Sequence, residues 1–178
     1  MLEVLMVVAI MGILAGMMLP SMSPSTQDQL QSAVNVVAAD VAYARSLAVA
    51  NNSRYHLTFS LQNNRYTLAH TSDANTGLDT LPKTPFESPE DTATQHVVRF
   101  DTLPEVGPTL QLAAVRTATT KQAVTDVEFG PLGETTRSEG TVIWLKAGGG
   151  AALRYMSVSV DPVTGLTTIG TVTCVGPQ

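Results

Sequence analysis

Between Val4 and Leu19 the chain runs for 16 residues without a charged side chain, and a single carboxylate, Glu3, stands at the head of the run. As a helix rising about 1.5 Å per residue, this stretch falls somewhat short of a hydrocarbon core roughly 30 Å thick, and Met1 and Leu2 nearly close the gap. A cleaved secretory signal fits poorly. No Lys or Arg precedes the run, and Leu19-Pro20-Ser21 is a poor cleavage site. A plain anchor explains the length but not the carboxylate. Carrying a charge to the bilayer centre costs about 2.5 to 3.5 kcal/mol, so Glu3 calls for a partner.

The remainder is large enough for one domain beyond this anchor. The 44% hydrophobic and 14% charged content of the 178 residues is apolar for a soluble chain because the N-terminus is so apolar. Past Pro20, a polar stretch with Pro24 bends or loosens the helix. Ser25 or Thr26 then caps a second helix, with Asp28 in its first turn, where a negative charge suits the helix dipole. Leu30, Val34, Val37, Val41, Ala44 and Ala48 step by three or four residues and form one apolar stripe, and Asn51-Asn52 supplies the stop.

From residue 54 the pattern changes to alternation. Arg54 to Ser60 and Arg65 to His70 flank the turn residues Gln62-Asn63-Asn64 and predict a hairpin. Further strands are predicted at Gln95 to Asp101, Thr109 to Arg116, Ala123 to Phe129, Thr141 to Lys146, Leu153 to Val160 and Leu166 to Cys174. Thr71 to Thr94, with three prolines and several acids, reads as a long surface loop, mobile or functional. Gly148-Gly149-Gly150 reads as a flexible hairpin tip. The single cysteine, Cys174, cannot form an internal disulfide and is most simply a strand residue. The expected organisation is a membrane helix at 1–20, an amphipathic helix at 21–53 and a β-rich domain at 54–178 containing the loop 71–94.

The order Leu2-Glu3-Val4-Leu5, then Val7 to Ala15 with Gly12, then Leu19-Pro20 resembles the N-terminal methylation motif of type IV pilins and type II secretion pseudopilins. Glutamate, glycine and proline all keep that family's mutual spacing. The resemblance implies a basic leader ending in glycine, removed by a prepilin peptidase, and methylation of the new terminal residue, usually Phe. By the same spacing the chain begins two residues inside the mature motif, so the processing site is expected to lie outside the given sequence. Ala39 to Ala48, with its Ala-Arg-x-x-Ala core, resembles a helix segment of the GspH and FimT-like minor pseudopilins. Val127 to Gly133, Arg154 to Ser159 and Thr164-Gly165 are similar to the closing hairpins of that group. The implied fold is α+β, a long N-terminal helix whose second half packs on antiparallel sheets.

Physical chemistry gives Glu3 a role in such an assembly. Where apolar N-terminal helices pack together, a freshly cut terminal ammonium is buried too, and two opposite buried charges cost less paired than apart. Glu3 is therefore expected to dock against a neighbouring subunit's N-terminus and set the axial register, the alternative being that it merely sits in the headgroup layer. Gly12 and Pro20 are expected to weaken the helix between them, by about 1 kcal/mol and about 3 kcal/mol or more, so that it melts in the filament or merely kinks in the membrane.

Catalytic signals are sparse. His56, His70 and His96 sit on separate predicted elements without metal-ligand spacing, and read as strand or loop residues. No nucleophile elbow, phosphate loop or dinucleotide fingerprint occurs. Asp73, Asp79, Glu87, Glu90 and Asp91 match no calcium loop and read as a solvated face. No catalytic residue, cofactor or metal is expected. DNA binding, known among FimT-like pilins through basic C-terminal residues, needs clustered Lys and Arg. From Arg54 onward there are 9 basic against 12 acidic residues, and Val172 to Gln178 carries no positive charge, although Arg137, Lys146 and Arg154 could converge.

The leading expectation is a minor pseudopilin, a structural subunit of a type II secretion pseudopilus. It would cross the bacterial inner membrane once, N-terminus cytoplasmic and domain periplasmic. The implied partners are other pseudopilins or pilins, the prepilin peptidase, the inner-membrane assembly platform and membrane lipid. The alternative is a FimT-like minor type IV pilin serving pilus assembly, adhesion or DNA uptake, and a third class is an unrelated membrane-anchored β-rich binding domain or enzyme.

Overall fold

The computed structural model describes residues 2–18, 25–71, 75–83, 88–103 and 109–177. Two helices come first. Helix α1 spans Leu2–Met18, and α2 spans Thr26–Ala50. Every side chain from Glu3 to Ile13 is exposed, so this stretch of α1 shows apolar surface on all sides instead of packing on the domain. A helix that is hydrophobic all round needs a non-aqueous or protein environment to bury it. Pro20 and Pro24 lie outside the described residues.

The start of α2 is set by a reciprocal cap. The Asp28 N–H donates to Ser25 Oγ at 3.2 Å and the Ser25 N–H donates to Asp28 Oδ2 at 3.2 Å, satisfying two otherwise orphaned donors. At the far end the Asn51 N–H returns to the Leu47 carbonyl at 3.0 Å, and Asn52 takes φ +47°, a conformation asparagine tolerates and most residues do not. All six residues of the expected stripe are buried. Ala33 and Leu47 join them, widening the stripe enough to reach two sheets. By length and hydropathy alone α2 would qualify as a membrane span. Packing excludes that reading, because its apolar face is spent on the sheets and its flanks carry Asp28, Asp40 and Arg45.

Eight strands follow: β1 (Tyr55–Ser60), β2 (Arg65–His70), β3 (Gln95–Arg99), β4 (Gln111–Thr117), β5 (Asp126–Phe129), β6 (Thr141–Ala147), β7 (Arg154–Val160) and β8 (Thr167–Ile169). They form two four-stranded antiparallel sheets, ordered β3-β2-β1-β5 and β4-β6-β7-β8. Helix α2 packs on β1 and β5 of the first sheet and on β6, β7 and β8 of the second. Alternation places Tyr55, Leu57 and Phe59 of β1, and Ile143 and Leu145 of β6, against its stripe. The fold class expected from the sequence is the one observed.

Three differences from the sequence expectations have physical causes. Residues 123–129 do not form one strand: Ala123 bridges to Arg116 in the second sheet, whereas Asp126 onward pairs with β1 in the first. Alternation continues through this crossing, so periodicity conceals it. The last strand also stops early. The Gly170 N–H still bonds the Ser157 carbonyl, but the chain touches β7 again only at Thr173, leaving Cys174 exposed in a bend and not in a strand. At the β6–β7 connection Gly148 takes φ +86°, and a Cβ there would lie 2.5 Å from the Ala152 carbonyl oxygen. Gly148 is thus packed in a tight turn, whereas Gly149 and Gly150 lie in open space and Gly150 begins a short 3-10 helix, Gly150–Ala152.

Two sheets that share a helix can still splay apart at their far edges. Asn64, at φ +49° in the β1–β2 turn, spans that gap. Its Nδ2 donates to the Leu110 carbonyl at 2.8 Å and its Oδ1 accepts the Leu112 N–H at 2.8 Å, so one amide side chain imitates a strand neighbour for β4.

Candidate functional site

The residues expected to drive assembly lie on α1. Glu3 is in its first turn, exposed, and Gly12 lies within continuous helix where an added Cβ would meet nothing within 4 Å. Pro20 lies outside the described residues. Within the chain, Gly12 is therefore not required by close packing.

In the domain, three segments that are distant in sequence meet at Arg45. Its Nε donates to the Thr164 carbonyl at 2.7 Å and to the Gly133 carbonyl at 3.3 Å, clamping the β5–β6 and β7–β8 loops onto α2. Both glycines at the contact are demanded by it. Gly133 has φ +85°; Gly165 has φ +65°, and a Cβ at Gly165 would lie 2.1 Å from the Gly133 carbonyl oxygen. The Ala44-Arg45 pair, the run ending in Gly133, and Thr164-Gly165 are thus one structural unit.

Polar contacts link α2 and the described parts of the segment 71–94 to strands β2 and β3. The Tyr66 hydroxyl donates to Asp40 Oδ2. Burial raises the Asp40 carboxyl above the usual range, and the same burial, with Asp40 alongside, pushes the fully enclosed Tyr66 phenol well up. Asp91 accepts the Ser88 N–H at 2.8 Å, the Val97 N–H at 2.6 Å and His96 Nδ1 at 3.0 Å. Glu90 receives Arg99 at 2.9 Å and Arg65 at 2.8 Å, and these bonds, Arg99 first, hold its carboxyl below the usual range. Asp79, Glu90 and Asp91 are therefore fasteners, not the solvated face expected. They tie the described parts of the segment to the first sheet. Asp73 and Glu87 fall outside the described residues.

One of these fasteners has the atom order of a serine hydrolase triad. His70 Nδ1 donates to Asp79 Oδ1 at 2.7 Å, and Ser53 Oγ lies 2.6 Å from His70 Nε2. Its setting is that of a strut. Ser53 is buried at the C-terminal end of α2 and its own N–H is bonded to the Ala48 carbonyl, so the helix presents carbonyl oxygens there and not the N–H donors an oxyanion needs. The relay locks the helix end, β2 and the segment after it together.

The three histidines lie on adjacent strands of one sheet. His70 and His96 face its inner side, whereas His56 stands on the other, where burial lowers its pKa against the opposing pull of Glu128 and then Asp126. Among the described residues, no three His, Cys, Asp or Glu side chains group as a metal site. The three basic residues do not form one cluster: Lys146 and Arg154 lie at neighbouring rungs of β6 and β7, and Arg137 stands apart from both. Arg137 pairs with Asp126 at 2.7 Å before β6 begins, whereas Lys146 lies near its end beside Tyr155, about 20 Å further along the strand.

Arg45, Asn64 and Asp40 were the residues least visible as structural determinants in the sequence. Arg45 and Asp40 carry a signal in retrospect, since each interrupts an apolar helix near its buried stripe, where a charge persists only if it is paired. Asn64 reads simply as a turn residue.

The family model described as type II transport protein GspH matches residues 33–165, a span that includes most of α2, strands β1 to β7 and the Arg45 clamp. No curated protein sequence is significantly similar to the chain. Among solved structures, the chain is similar to the type IV minor pilin FimU of Pseudomonas aeruginosa, with 16% identity, TM-score 0.52, and 85% of this chain and 95% of that one covered. It is also similar to the minor pseudopilin EpsH from the type 2 secretion system of Vibrio cholerae. One structure of that protein gives 10% identity and TM-score 0.52 over 84% of this chain and 98% of that one; another gives 9% and 0.54 over 85% and 99%. At these identities the likeness concerns the fold.

Proposed function

The chain belongs to the family of type II transport protein GspH, and from that premise we propose that it is a minor pseudopilin, a structural subunit of a type II secretion pseudopilus that takes part in protein export. The observation that carries this reading is the family match over residues 33–165, most of the helix-on-two-sheets unit, joined to a preceding helix whose side chains from Glu3 to Ile13 are exposed on every side. A domain complete in its own core has no internal use for α1. That helix is suited to lipid first and to neighbouring subunits afterwards.

In this reading 1–20 anchors the chain, 21–53 carries it into the domain, and 54–178 is the periplasmic head, with the N-terminus cytoplasmic. A prepilin peptidase processes the precursor and the inner-membrane platform extracts the subunit into the filament. Apolar helices gain little by leaving lipid for one another, so association rests on close packing at small residues such as Gly12 and on pairing of Glu3 with a neighbouring N-terminus. Gly12 and Pro20 loosen the helix between them. A filament map with unbroken helix from Gly12 to Pro20 would rule out melting. DNA is not among the proposed partners, since Arg137 is neutralised by Asp126 and stands apart from Lys146.

The likeness to FimU, at the same TM-score as one EpsH structure, favours a second reading as a minor type IV pilin. Deleting the gene and complementing it separates the two. The secretion reading expects export of secreted enzymes to fail while pilus-dependent motility persists; lost motility with intact export would transfer the subunit to the pilus.

A further inference from the structure

The β6–β7 turn is fixed beside the start of α2. A Cβ at Gly148 would lie 3.1 Å from Thr26 Cγ2, so the turn packs on the first residue of the helix. Residues 19–25 are all that separates α2 from α1, and fully extended they reach at most about 29 Å. The Arg45 clamp lies about 28 Å further along α2 at 1.5 Å per residue. With α1 in a bilayer, the β6–β7 turn is therefore tethered close to the membrane surface, and the clamp stands at the far end of the domain.

This end of the hairpin carries two cations that the fold does not neutralise. Lys146 has no hydrogen bond or ion pair among the described residues. One terminal nitrogen of Arg154 bonds the Ala151 and Leu153 carbonyls at 2.9 and 2.8 Å, and its other nitrogens have no partner among the described residues. The two stand on opposite faces of the sheet. Alternation puts Lys146 on the outer face, whereas Arg154 lines a groove beside Gln27 and Gln31 of α2. Asp28, in the first turn of α2, is held in the cap by Ser25.

Aromatic rings flank the outer cation. Trp144 shares the outer face of β6 with Lys146, and Tyr155 stands opposite Lys146 on β7, each partly exposed. Rings with one polar edge, placed beside Lys and Arg, suit the boundary between water and lipid headgroups. The chain as a whole has net charge −5, so an anionic surface repels most orientations of the domain. Two free cations at the tethered end favour one of them.

We propose that, in the membrane-inserted subunit, the β6–β7 turn docks on anionic phospholipid headgroups of the leaflet on the domain's side, Lys146 and Arg154 each facing phosphates and Trp144 and Tyr155 lying at the headgroup boundary. The contact is a second, electrostatic attachment that sets the orientation of the head beside its anchor. It rests on the reading of α1 as that anchor and adds a lipid-binding surface in the domain.

Trp144 is the only tryptophan and supplies the probe. The full-length chain, reconstituted into vesicles that contain a nitroxide-headgroup phosphatidylcholine, should show Trp144 emission quenched several times more when phosphatidylglycerol is present than in phosphatidylcholine alone. Salt at about 1 M, where the screening length is about 3 Å, should erase the difference. Lys146→Gln should weaken the contact about fivefold, and Lys146→Glu with Arg154→Glu should abolish the lipid dependence. Moving the probe to the far end, with Trp144→Phe and Leu132→Trp, should leave emission equal in both lipids. Equal quenching of Trp144 in the two lipids, a difference that survives high salt, or the same quenching at position 132 overturns the docking. The salt arm uses the unaltered chain and decides even where a variant fails to fold. Vesicle flotation after an alkaline carbonate wash separates the two readings: an inserted chain with equal quenching loses only the headgroup contact, and a chain that washes off loses the anchor and the contact with it.

Discussion

Helices α1 and α2 are consecutive and both rich in Val, Leu and Ala, yet they solve opposite problems. The second has one apolar stripe, closed by Leu30 through Ala48 against two sheets, and its polar residues are capped or clamped by its own chain. The first shows Val4, Leu5, Val8 and Met11 to the outside all round its axis. The stability of α2 comes from within the fold, whereas α1 acquires its environment from lipid or from other subunits. Hydrophobicity alone does not tell the two apart; the distribution of polar residues around the axis does.

Substitutions can separate these two economies. Glu3→Ala should have the largest effect on assembly and almost none on the fold. Losing one partner of a buried charge pair costs about 3 to 5 kcal/mol, which should lower filament incorporation more than a hundredfold. Incorporation measured by shearing and immunoblot checks this, and unimpaired assembly would remove the register role. Leu57→Ala tests the other side. This fully buried β1 residue faces the α2 stripe, and its truncation should destabilise the detergent-solubilised chain by about 2 to 5 kcal/mol in urea denaturation.

A smaller effect belongs to the cap. Ser25→Ala removes the acceptor for the Asp28 N–H and should cost about 1 kcal/mol, visible as earlier melting of α2 by circular dichroism. The smallest concerns Asp40. Burial raises its folded pKa above the unfolded value of about 3.9, so the folded state binds the proton more tightly. Its favourable contribution is full below that value and is lost as pH rises through the raised folded value. Asp40→Asn does not titrate, so the stability of the variant relative to the parent should be greater at pH 7 than at pH 4. Denaturation curves at the two pH values check the sign, and an equal difference at both would refute it.

Legibility in the sequence follows the range of the interactions. The helix start near Ser25 with Asp28 in its first turn, the stop at Asn51-Asn52 and the hairpin turning on Asn63-Asn64 depend on residues within a few positions of one another and were legible, although the sequence left Thr26 open as the cap and did not show that Asp28 bonds back to Ser25. Strand edges read less well. Alternation continues in the sequence from Ala123 to Phe129 although the chain changes sheets between them, and it hides that the side chain on the core is Val124 before the crossing and Val127 and Phe129 after it. The acids of the segment after β2 were misread for a related reason. A carboxylate that will meet Arg65, Arg99 or His96 across a sheet looks in one dimension like a solvated charge.

From the sequence alone came the two helices with their differing polarity, the α+β class and the family resemblance, since periodicity, capping and motif spacing are local properties. Only the tertiary structure decided that Arg45 joins two loops separated from it by 88 and 119 positions, that Asn64 stitches one sheet to the other, and that Ser53, His70 and Asp79 form a strut. Those contacts exist because a compact core brings distant backbone carbonyls and carboxylates within reach of a few buried donors. A donor removed from water must find such a partner.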